Sequence, residues 1–536
     1  MDFLSKSFMA PSSSPSPFFN KSTLPLIATI VGLFLCYVVH RSSRKEKIPV
    51  VRCWPSFLPK VFDRLSYNSQ APQLIKDGYQ KYRGQPFRLL KMDMDLVIIP
   101  LKYASELRAV TNDKLDPLTA SFDDNAGAVT SILLGSELHT HAIQRRLTPR
   151  LPKIIPMMMD ELRLAFTQVL PTQNGLCNLT MILKHTENSD SHGFIDAWIA
   201  VNPYEMVLHL ATRAAARVFV GEPTCRDEIF LKTTASYSRN VFDSISTSRQ
   251  FGSLLTSCFG TWVPAVKEAR DQLQYIQQLL GAEVNRRKSC PEEQHDDFLQ
   301  WCMDLARTEE EAQPEALAHR TLGILSMAVV HTTAMASTHL LFDMISSPDL
   351  TSSLREEQQS LLKDGWMGIS QESMLDMKLL DSLMRESQRL NPVGEFTFRR
   401  LVRKPVTLSD GYQLEPGQQI ALLARSIHMD EEILPDAASF NPQRWLKQEN
   451  SAPTAFSNSS TSNLNFGLGR YACPGRFLAA YTIKAIMSRL LLDYDFKLQG
   501  EFPMGRPPNM LHGDRIFPNR TAVVLLRRRN TVASKA

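Results

Sequence analysis

Apolar residues recur at every third and fourth position along most of the chain beyond about residue 60, and this spacing predicts helices. The clearest stretches are 157–170, 203–219, 262–288, 315–344, 371–390 and 476–493. The pattern of extended strands is confined to short stretches at 86–99, 396–408 and 522–527. Two polar segments, 171–200 and 448–463, are predicted to be loops. The pattern therefore predicts a mainly α domain with a minor β-sheet region over residues 61–530.

A charge-free apolar stretch stands apart from this domain near the N-terminus. Residues 24–39 read LPLIATIVGLFLCYVV, and four basic residues follow before position 48. Because basic residues mark the cytosolic side of a membrane helix, we expect a short lumenal N-terminus over 1–20, a single transmembrane signal anchor over 21–40 and a basic, Pro-containing connector over 41–60. This topology predicts a single-pass protein of the endoplasmic reticulum membrane whose catalytic domain is cytosolic. The alternative is that the apolar stretch is a buried core helix.

The overall composition limits the classes of partner that the domain is expected to bind. Hydrophobic residues make up 43% of the 536 residues and charged residues 21%, with a net charge of +5. The basic residues form no block of the kind that binds nucleic acid, so no nucleic-acid partner is expected. The 8 cysteines show no zinc-like spacing, which is typical of free thiols in a reducing compartment.

One cysteine lies in a glycine-rich turn near the C-terminal end. Residues 466–475 read FGLGRYACPG, so Cys473 is followed by Pro-Gly. Glycines let a flat ligand approach the main chain, and N–H groups before the following apolar run would stabilise a thiolate. The segment resembles the haem-binding loop of the cytochrome P-450 family. The resemblance implies that haem b (iron protoporphyrin IX) is bound, with Cys473 as the iron ligand and Phe466, Arg470 and Gly475 as contacts.

Two further motifs precede this loop in the order that the family has them. Glu386 and Arg389 lie three residues apart, on one face of a predicted helix, and residues 440–445 read FNPQRW. An isolated pair of this kind is usually an exposed salt bridge. The family resemblance implies instead that Glu386, Arg389 and Arg444 form one buried network beneath the haem.

The apolar helix at 321–344 resembles the family's distal helix, which commonly carries a small pair, an acid and two threonines. Thr332 and Thr333 match the threonines, and the resemblance implies that a threonine hydroxyl holds a water for proton delivery. His331 stands where an acid is usual, and Val329 stands where glycine is usual. Two interpretations of His331 stay open. It relays protons in place of the acid, or it only packs or hydrogen-bonds inside the helix.

Basic side chains are expected to bind the haem propionates, because propionates are carboxylates. The resemblance indicates Arg145 and, as the weaker candidate, His141, on a predicted helix that ends near Pro149. Arg399 or Arg400 is a further candidate, and the sequence does not choose between them.

The cysteine loop departs from the family at one position. The family usually has Arg or His two residues before the cysteine, whereas this chain has Tyr471. Arg470, one residue earlier, is expected to compensate.

Taken over residues 50–530, the chain resembles a membrane-anchored cytochrome P-450 monooxygenase. The family implies insertion of one oxygen atom from O2 into a hydrophobic small molecule. No flavin- or nicotinamide-binding region is visible, so the expected partner is a separate NADPH-cytochrome P-450 reductase-type flavoprotein in the same lipid membrane. Residues 218–227, VFVGEPTCRD, are similar to fungal members that oxidise terpenoid-type metabolites, which favours a terpenoid or related secondary metabolite over a sterol or fatty acid. The alternative reading of this segment is a helix end with a glycine cap. Two alternatives remain, a haem-thiolate isomerase or dehydratase that does not use O2 and a non-catalytic haem-binding protein.

Overall fold

Helices make up most of the chain in a computed structural model that describes residues 48–125, 127, 135–170, 198–259, 262–446 and 454–529. The α-helices are Lys60–Lys81, Ala104–Leu107, Pro117–Asp124, Leu138–Ala142, Leu151–Val169, Pro203–Val220, Glu228–Phe259, Pro264–Ser289, Phe298–Leu305, Pro314–Gly323, His331–Ile345, Pro348–Leu361, Gln371–Asp376, Lys378–Leu390, Ala424–His428 and Arg476–Asp493. The predicted lumenal segment, the predicted anchor and the connector up to residue 47 lie outside the described residues.

The sheet region is minor, as predicted. One sheet has five strands, in the spatial order Phe87–Leu90, Asp95–Ile98, Gln419–Leu423, Phe396–Val402 and Leu115–Asp116. A second sheet has the order Ile199–Val201, Val524–Arg528 and Tyr494–Leu498, and two hairpins pair Val406–Thr407 with Gln413–Leu414 and Met510–His512 with Arg515–Phe517. Within the first sheet only Asp95–Ile98 and Gln419–Leu423 run parallel.

The predicted strands were too long. The stretch 86–99 is a hairpin in which Phe87 lies opposite Ile98, and 396–408 is divided into two strands. The predicted loop 171–200 was wrong at its end, because the strand Ile199–Val201 begins there and pairs with Val524–Arg528.

The predicted helix 371–390 is two helices that meet at Met377, whose ψ of 72° is not helical. The Glu357 carboxylate accepts hydrogen bonds from the N–H groups of Leu379 and Leu380, at 2.6 and 3.1 Å. These are donors of a first helical turn, which have no partner inside their own helix. A side chain from a neighbouring helix therefore caps the second helix.

The helix that carries Arg145 does not end near Pro149, so this prediction was wrong. The turn Ile143–Leu147 is a π-helix, Thr148–Arg150 is a 3-10 helix, and Leu151–Val169 follows directly. Proline lacks an N–H, but at the first turn of a helical segment that group would have no partner. Pro149 is therefore tolerated inside a continuous helical path.

The centre of the fold is a long helical segment, Pro314–Ile345, which we call the distal helix. In the described part of the chain it is the one helix with the length and composition to cross a membrane. However, 72% of its apolar 18-residue stretch is buried inside the protein. Its middle, Ile324–Val330, is π-helical, a feature that often lies at functional sites. The helix Arg476–Asp493, which begins three residues after Cys473, packs against its C-terminal half.

Candidate active site

The loop around Cys473 is shaped by main-chain hydrogen bonds. The Cys473 N–H donates to the Phe466 carbonyl at 2.7 Å, which closes the loop into a compact turn. Gly467 and Gly469 have φ of 78° and 75°, values that side chains with a Cβ rarely adopt. A Cβ at Gly469 would also lie 3.2 Å from Cβ of Arg108. Both glycines are therefore required by the geometry of the loop.

The Cys473 side chain is exposed although protein atoms surround the loop densely, so its sulfur faces a space inside the protein. Burial raises the pKa of the thiol, while the main-chain N–H groups of Gly475 and Arg476 and the Arg476 charge act in the opposite direction. The sequence predicted the stabilising N–H groups, but burial outweighs them. The thiolate is thus favoured when a cation binds the sulfur.

Glu386, Arg389 and Arg444 are in mutual contact, as the motif order predicted. Glu386 is fully buried, and its carboxylate accepts from Arg389 at 2.8 and 2.9 Å and from Nε of Arg444 at 3.3 Å. Indole Nε1 of Trp445 donates to the same carboxylate at 3.1 Å, and so does the Asn441 N–H at 3.0 Å. The Glu386 carboxylate is thus surrounded by donors.

The two arginines of this network bind the main chain of the segment before Trp445. Arg389 donates to the carbonyls of residues 428, 437 and 439, and Arg444 donates to those of residues 435, 436 and 439. The network therefore fixes an irregular segment that leads to the cysteine loop.

A β-bulge places Arg400. The pairing of Phe396–Val402 with Gln419–Leu423 shifts register between Thr397 and Arg400, and Phe398 within the shift has a φ of 52°. Bulges commonly redirect a side chain next to a functional site. Arg400 is buried, and its guanidinium lies 4.0 Å from the ring centroid of Phe398 and 5.4 Å from that of Tyr471.

Arg400 has no carboxylate partner among the described residues, and burial lowers its pKa to about 10. Its neighbour Arg399 is instead paired with Asp124 at 2.6 Å and with Asp514 at 3.7 Å. The Arg400 guanidinium donates to the Arg399 carbonyl at 2.7 Å, but a buried charge without a carboxylate partner is costly unless an anion binds it. Of the two candidates that the sequence left open, Arg400 is therefore the one available to an anionic ligand.

Glu137 connects several of the predicted cofactor contacts, and the sequence reasoning missed it. Its carboxylate accepts from the Tyr471 hydroxyl at 2.5 Å, lies 3.5 Å from Nη2 of Arg470 and 3.7 Å from Nε2 of His141. Burial and the charge of Arg145 lower the pKa of His141. The structure thus brings His141, Arg470 and Tyr471 to one carboxylate, with Arg145 nearby.

The two threonines of the distal helix differ in position. The Thr332 hydroxyl donates to the Ala328 carbonyl at 2.6 Å. Ala328 is exposed, although most residues of this helix are buried. Thr333 is buried. Thr332 is therefore the threonine that faces accessible space.

His331 is 2% exposed and points toward the helices Pro203–Val220 and Glu228–Phe259. Its Nδ1 lies 2.6 Å from the Tyr204 hydroxyl, and the Phe242 ring packs edge-on at a centroid distance of 5.7 Å. Burial, with the charge of Arg520, lowers the pKa of His331 to about 4, so the ring is neutral at pH 7.

A family model described as Cytochrome P450 matches residues 172–518 of this chain. The chain belongs to the cytochrome P450 family. It is 66% identical over 94% of its length to the cytochrome P450 monooxygenase ltmP of Epichloe festucae var. lolii, 98% of which is covered. It is 61% identical to idtP of Claviceps paspali over 94% of this chain and 99% of that protein, and 39% identical to paxP of Penicillium paxilli over 97% and 98%. Both relatives also carry the name cytochrome P450 monooxygenase.

The P450 fold is also shown by a solved structure. Cyanobacterial CYP120A1 with retinoic acid bound superposes with a TM-score of 0.65 at 17% identity, over 90% of this chain and 99% of that one. The family match and the fungal relatives at 61–66% identity show that the chain is a cytochrome P450 monooxygenase, and they do not support the alternatives of a non-oxidising haem-thiolate enzyme or a non-catalytic haem protein.

The residues present fit the haem that the P450 family binds. The accessible sulfur of Cys473 would supply the thiolate, and Arg400 would supply a cation for a propionate. Arg145, exposed on the π-turn, would be a second cation. When bound, the haem would supply a thiolate-ligated iron suited to O–O cleavage. The Thr332 hydroxyl could hold a water beside it.

Proposed function

We propose that this P450 monooxygenase oxidises a terpenoid or related fungal secondary metabolite at the endoplasmic reticulum membrane, with its catalytic domain in the cytosol. The observation that carries the proposed chemistry is the accessible Cys473 sulfur inside a densely packed domain. The proposed substrate class is supported by extended similarity to fungal monooxygenases and by the sequence VFVGEPTCRD at 218–227. A sterol or fatty acid is the second choice.

Exposed apolar side chains next to the predicted connector support membrane attachment. Phe57 is 76% exposed and Leu65 is 60% exposed, and the strand Met510–His512, which packs against the helix Lys60–Lys81, adds the exposed Leu511. Clustered exposed apolar residues mark surfaces that contact protein or lipid. Because they follow the predicted anchor in sequence, lipid is the proposed partner of this surface.

Electrons are proposed to come from a separate NADPH-cytochrome P-450 reductase-type flavoprotein. The family-model match and the P450 fold together occupy most of the chain. Turnover should therefore require the reductase to be added.

The proposal is tested in microsomes that contain the full chain and a fungal reductase. Terpenoid, sterol and fatty acid panels are supplied with NADPH, and products are identified by mass spectrometry, with the Cys473→Ala variant as control. Oxidised terpenoids that require both reductase and Cys473 are expected. Oxidised fatty acids or sterols alone would reject the terpenoid assignment, and turnover without reductase would reject the separate electron donor.

A further inference from the structure

A cavity of about 210 Å³ lies between the helix Glu228–Phe259, the distal helix and the hairpin 510–517. Phe242, Ile245 and Phe517 form apolar parts of its wall. His331 and Arg520 add polar groups to the same wall. Complete ligand pockets measure about 300–1,000 Å³, so this cavity has room for one end of a molecule.

The His331 ring is held in one orientation, and one of its two nitrogens makes no hydrogen bond of normal geometry. Nδ1 is engaged by Tyr204 at 2.6 Å. Within the described residues Nε2 makes no hydrogen bond of normal geometry, although the Ala235 carbonyl is near enough to act on the pKa of the ring. Buried polar atoms are nearly always satisfied by protein, water or ligand. The Nε2 atom is therefore available to hydrogen-bond an occupant of the cavity that His331 lines.

Arg520 presents a second unused group to the cavity. Its guanidinium lies 4.7 Å from the ring centroids of both Tyr204 and Phe517, which fix its position. Its Nε has no hydrogen-bond partner, and no carboxylate pairs with it in the part of the chain that the structure describes. Tyr204 thus contacts both groups, and this shared contact sets His331 and Arg520 beside one another.

Charged groups of both signs line the cavity: the carboxylates of Asp243 and Asp514 and the guanidiniums of Arg239, Arg515 and Arg520. Asp514 is buried and bonded to Nζ of Lys91 at 2.9 Å. Arg239 pairs with Glu205 at 3.2 Å and Arg515 pairs with Asp124 at 3.1 Å, so Arg520 is the guanidinium left to an occupant. Because Asp243 is exposed at the rim, a hydroxyl, ether or carbonyl oxygen enters without meeting like charge there.

We infer that His331 and Arg520 bind an oxygen atom at one end of an otherwise hydrophobic substrate, and so determine both substrate choice and orientation. The inference rests on the proposed function, because it specifies a feature of the proposed terpenoid. His331 is then a positioning residue that holds one end of the substrate, while Thr332, adjacent in sequence, lies toward the reacting end. A reaction that introduces oxygen into the hydrocarbon skeleton must precede this enzyme.

The test uses three ligands that share one tricyclic diterpenoid skeleton: abietatriene, which has no oxygen, and dehydroabietol and ferruginol, which carry a hydroxyl at opposite ends. Dissociation constants are measured for the full-length haem-loaded enzyme, both by the haem absorption shift and by equilibrium dialysis. At least one alcohol should bind about tenfold more tightly than abietatriene, which is the value of one buried hydrogen bond.

His331→Leu and Arg520→Met should each reduce this preference several-fold while leaving abietatriene binding nearly unchanged. Phe242→Leu is the matched control, since it alters the same wall without removing a polar group, and it should affect all three ligands alike. His331→Gln, which keeps a donor and an acceptor, should retain part of the preference. Haem content is recorded for each variant so that only folded enzyme is compared.

Two negative outcomes are distinguishable. If all three ligands bind equally and the variants change nothing, this inference is rejected while the terpenoid assignment stands. If none of the three binds, the proposed terpenoid function is rejected together with it.

Discussion

The Tyr204 hydroxyl lies 2.6 Å from Nδ1 of His331 and thereby ties the helix Pro203–Val220 to the distal helix. The contact fixes a neutral imidazole beside a cavity. Of the two interpretations that the sequence left open, this geometry favours a hydrogen-bonding role over a proton relay.

Proton delivery should depend on Thr332 more than on His331. Thr332→Ala should uncouple the cycle, so that NADPH is consumed and peroxide accumulates while product falls. Thr333→Ala, at a buried neighbouring position, is the control. With saturating substrate, His331→Leu should keep a near-normal ratio of product to NADPH. A marked fall in that ratio, reversed by His331→Asp, would instead establish the relay.

Cys473 should be the one cysteine needed for the spectrum of thiolate-ligated haem. Cys473→Ala should abolish the absorption band of the reduced carbon monoxide complex that is typical of this ligation. Cys290→Ala, which alters a half-buried thiol at the end of the helix Pro264–Ser289, should keep the band. Persistence of the band in Cys473→Ala would show that another residue ligates the iron.

The Glu386 network should be essential for folding. Glu386→Ala leaves Arg389 and Arg444 without their carboxylate, and breaking a buried charge pair costs about 3–5 kcal/mol. We expect little haem-loaded protein and a large loss of unfolding free energy in denaturant titrations. Asp113→Asn, which removes the exposed pair between Asp113 and Lys404, should change neither quantity appreciably. Normal haem loading in Glu386→Ala would contradict the proposed role.

Substitutions of Arg400 and of Arg399 should affect haem retention and protein stability differently. Arg400→Gln should weaken haem retention about 10- to 100-fold, the value of a hydrogen bond to a charged group. In haem-free protein the same change should raise the melting temperature, because it removes an unpaired buried charge. Arg399→Gln should lower the melting temperature, since it breaks the pairing with Asp124. If Arg400→Gln and Arg399→Gln weakened haem retention equally, the choice of Arg400 over Arg399 as the haem contact would be contradicted.

Acid should destabilise the fold through buried histidines. Burial lowers the pKa of His139, His209 and His331 to about 4, below their ordinary value of 6.5. The unfolded chain therefore binds more protons than the folded one, and the free energy of unfolding should fall as the pH drops from about 6.5 towards 4. Denaturant titrations between pH 7 and 4.5 measure the slope. His209→Leu should make it shallower, and an unchanged slope would contradict the assignment.

Local motifs allowed part of the site to be predicted. Cys473 and the network of Glu386, Arg389 and Arg444 were accessible from the sequence because each lies in a short pattern whose order along the chain is informative. Trp445 lies inside the same motif, but its indole hydrogen bond to Glu386 was not predicted. The helical content was likewise visible from apolar spacing.

The remaining features depend on partners that are distant in sequence. Tyr204 is 127 residues from His331, and Glu137 is 334 residues from Tyr471, so no local pattern joins them. The choice of Arg400 over Arg399 follows from a bulge in strand pairing. The long helix Glu228–Phe259 was missed because its many serines and threonines weaken the apolar pattern that predicts helices.

The unpaired Arg400 has a consequence for the supply of this enzyme in the cell. A newly made chain carries an uncompensated charge in its interior until haem arrives, so the haem-free form is the less durable one. Ligand binding stabilises the folded state by mass action, and the less stable form is preferentially degraded. The steady-state amount of this oxidase should therefore follow intracellular haem synthesis, and iron scarcity would reduce the pathway's flux without any change in transcription.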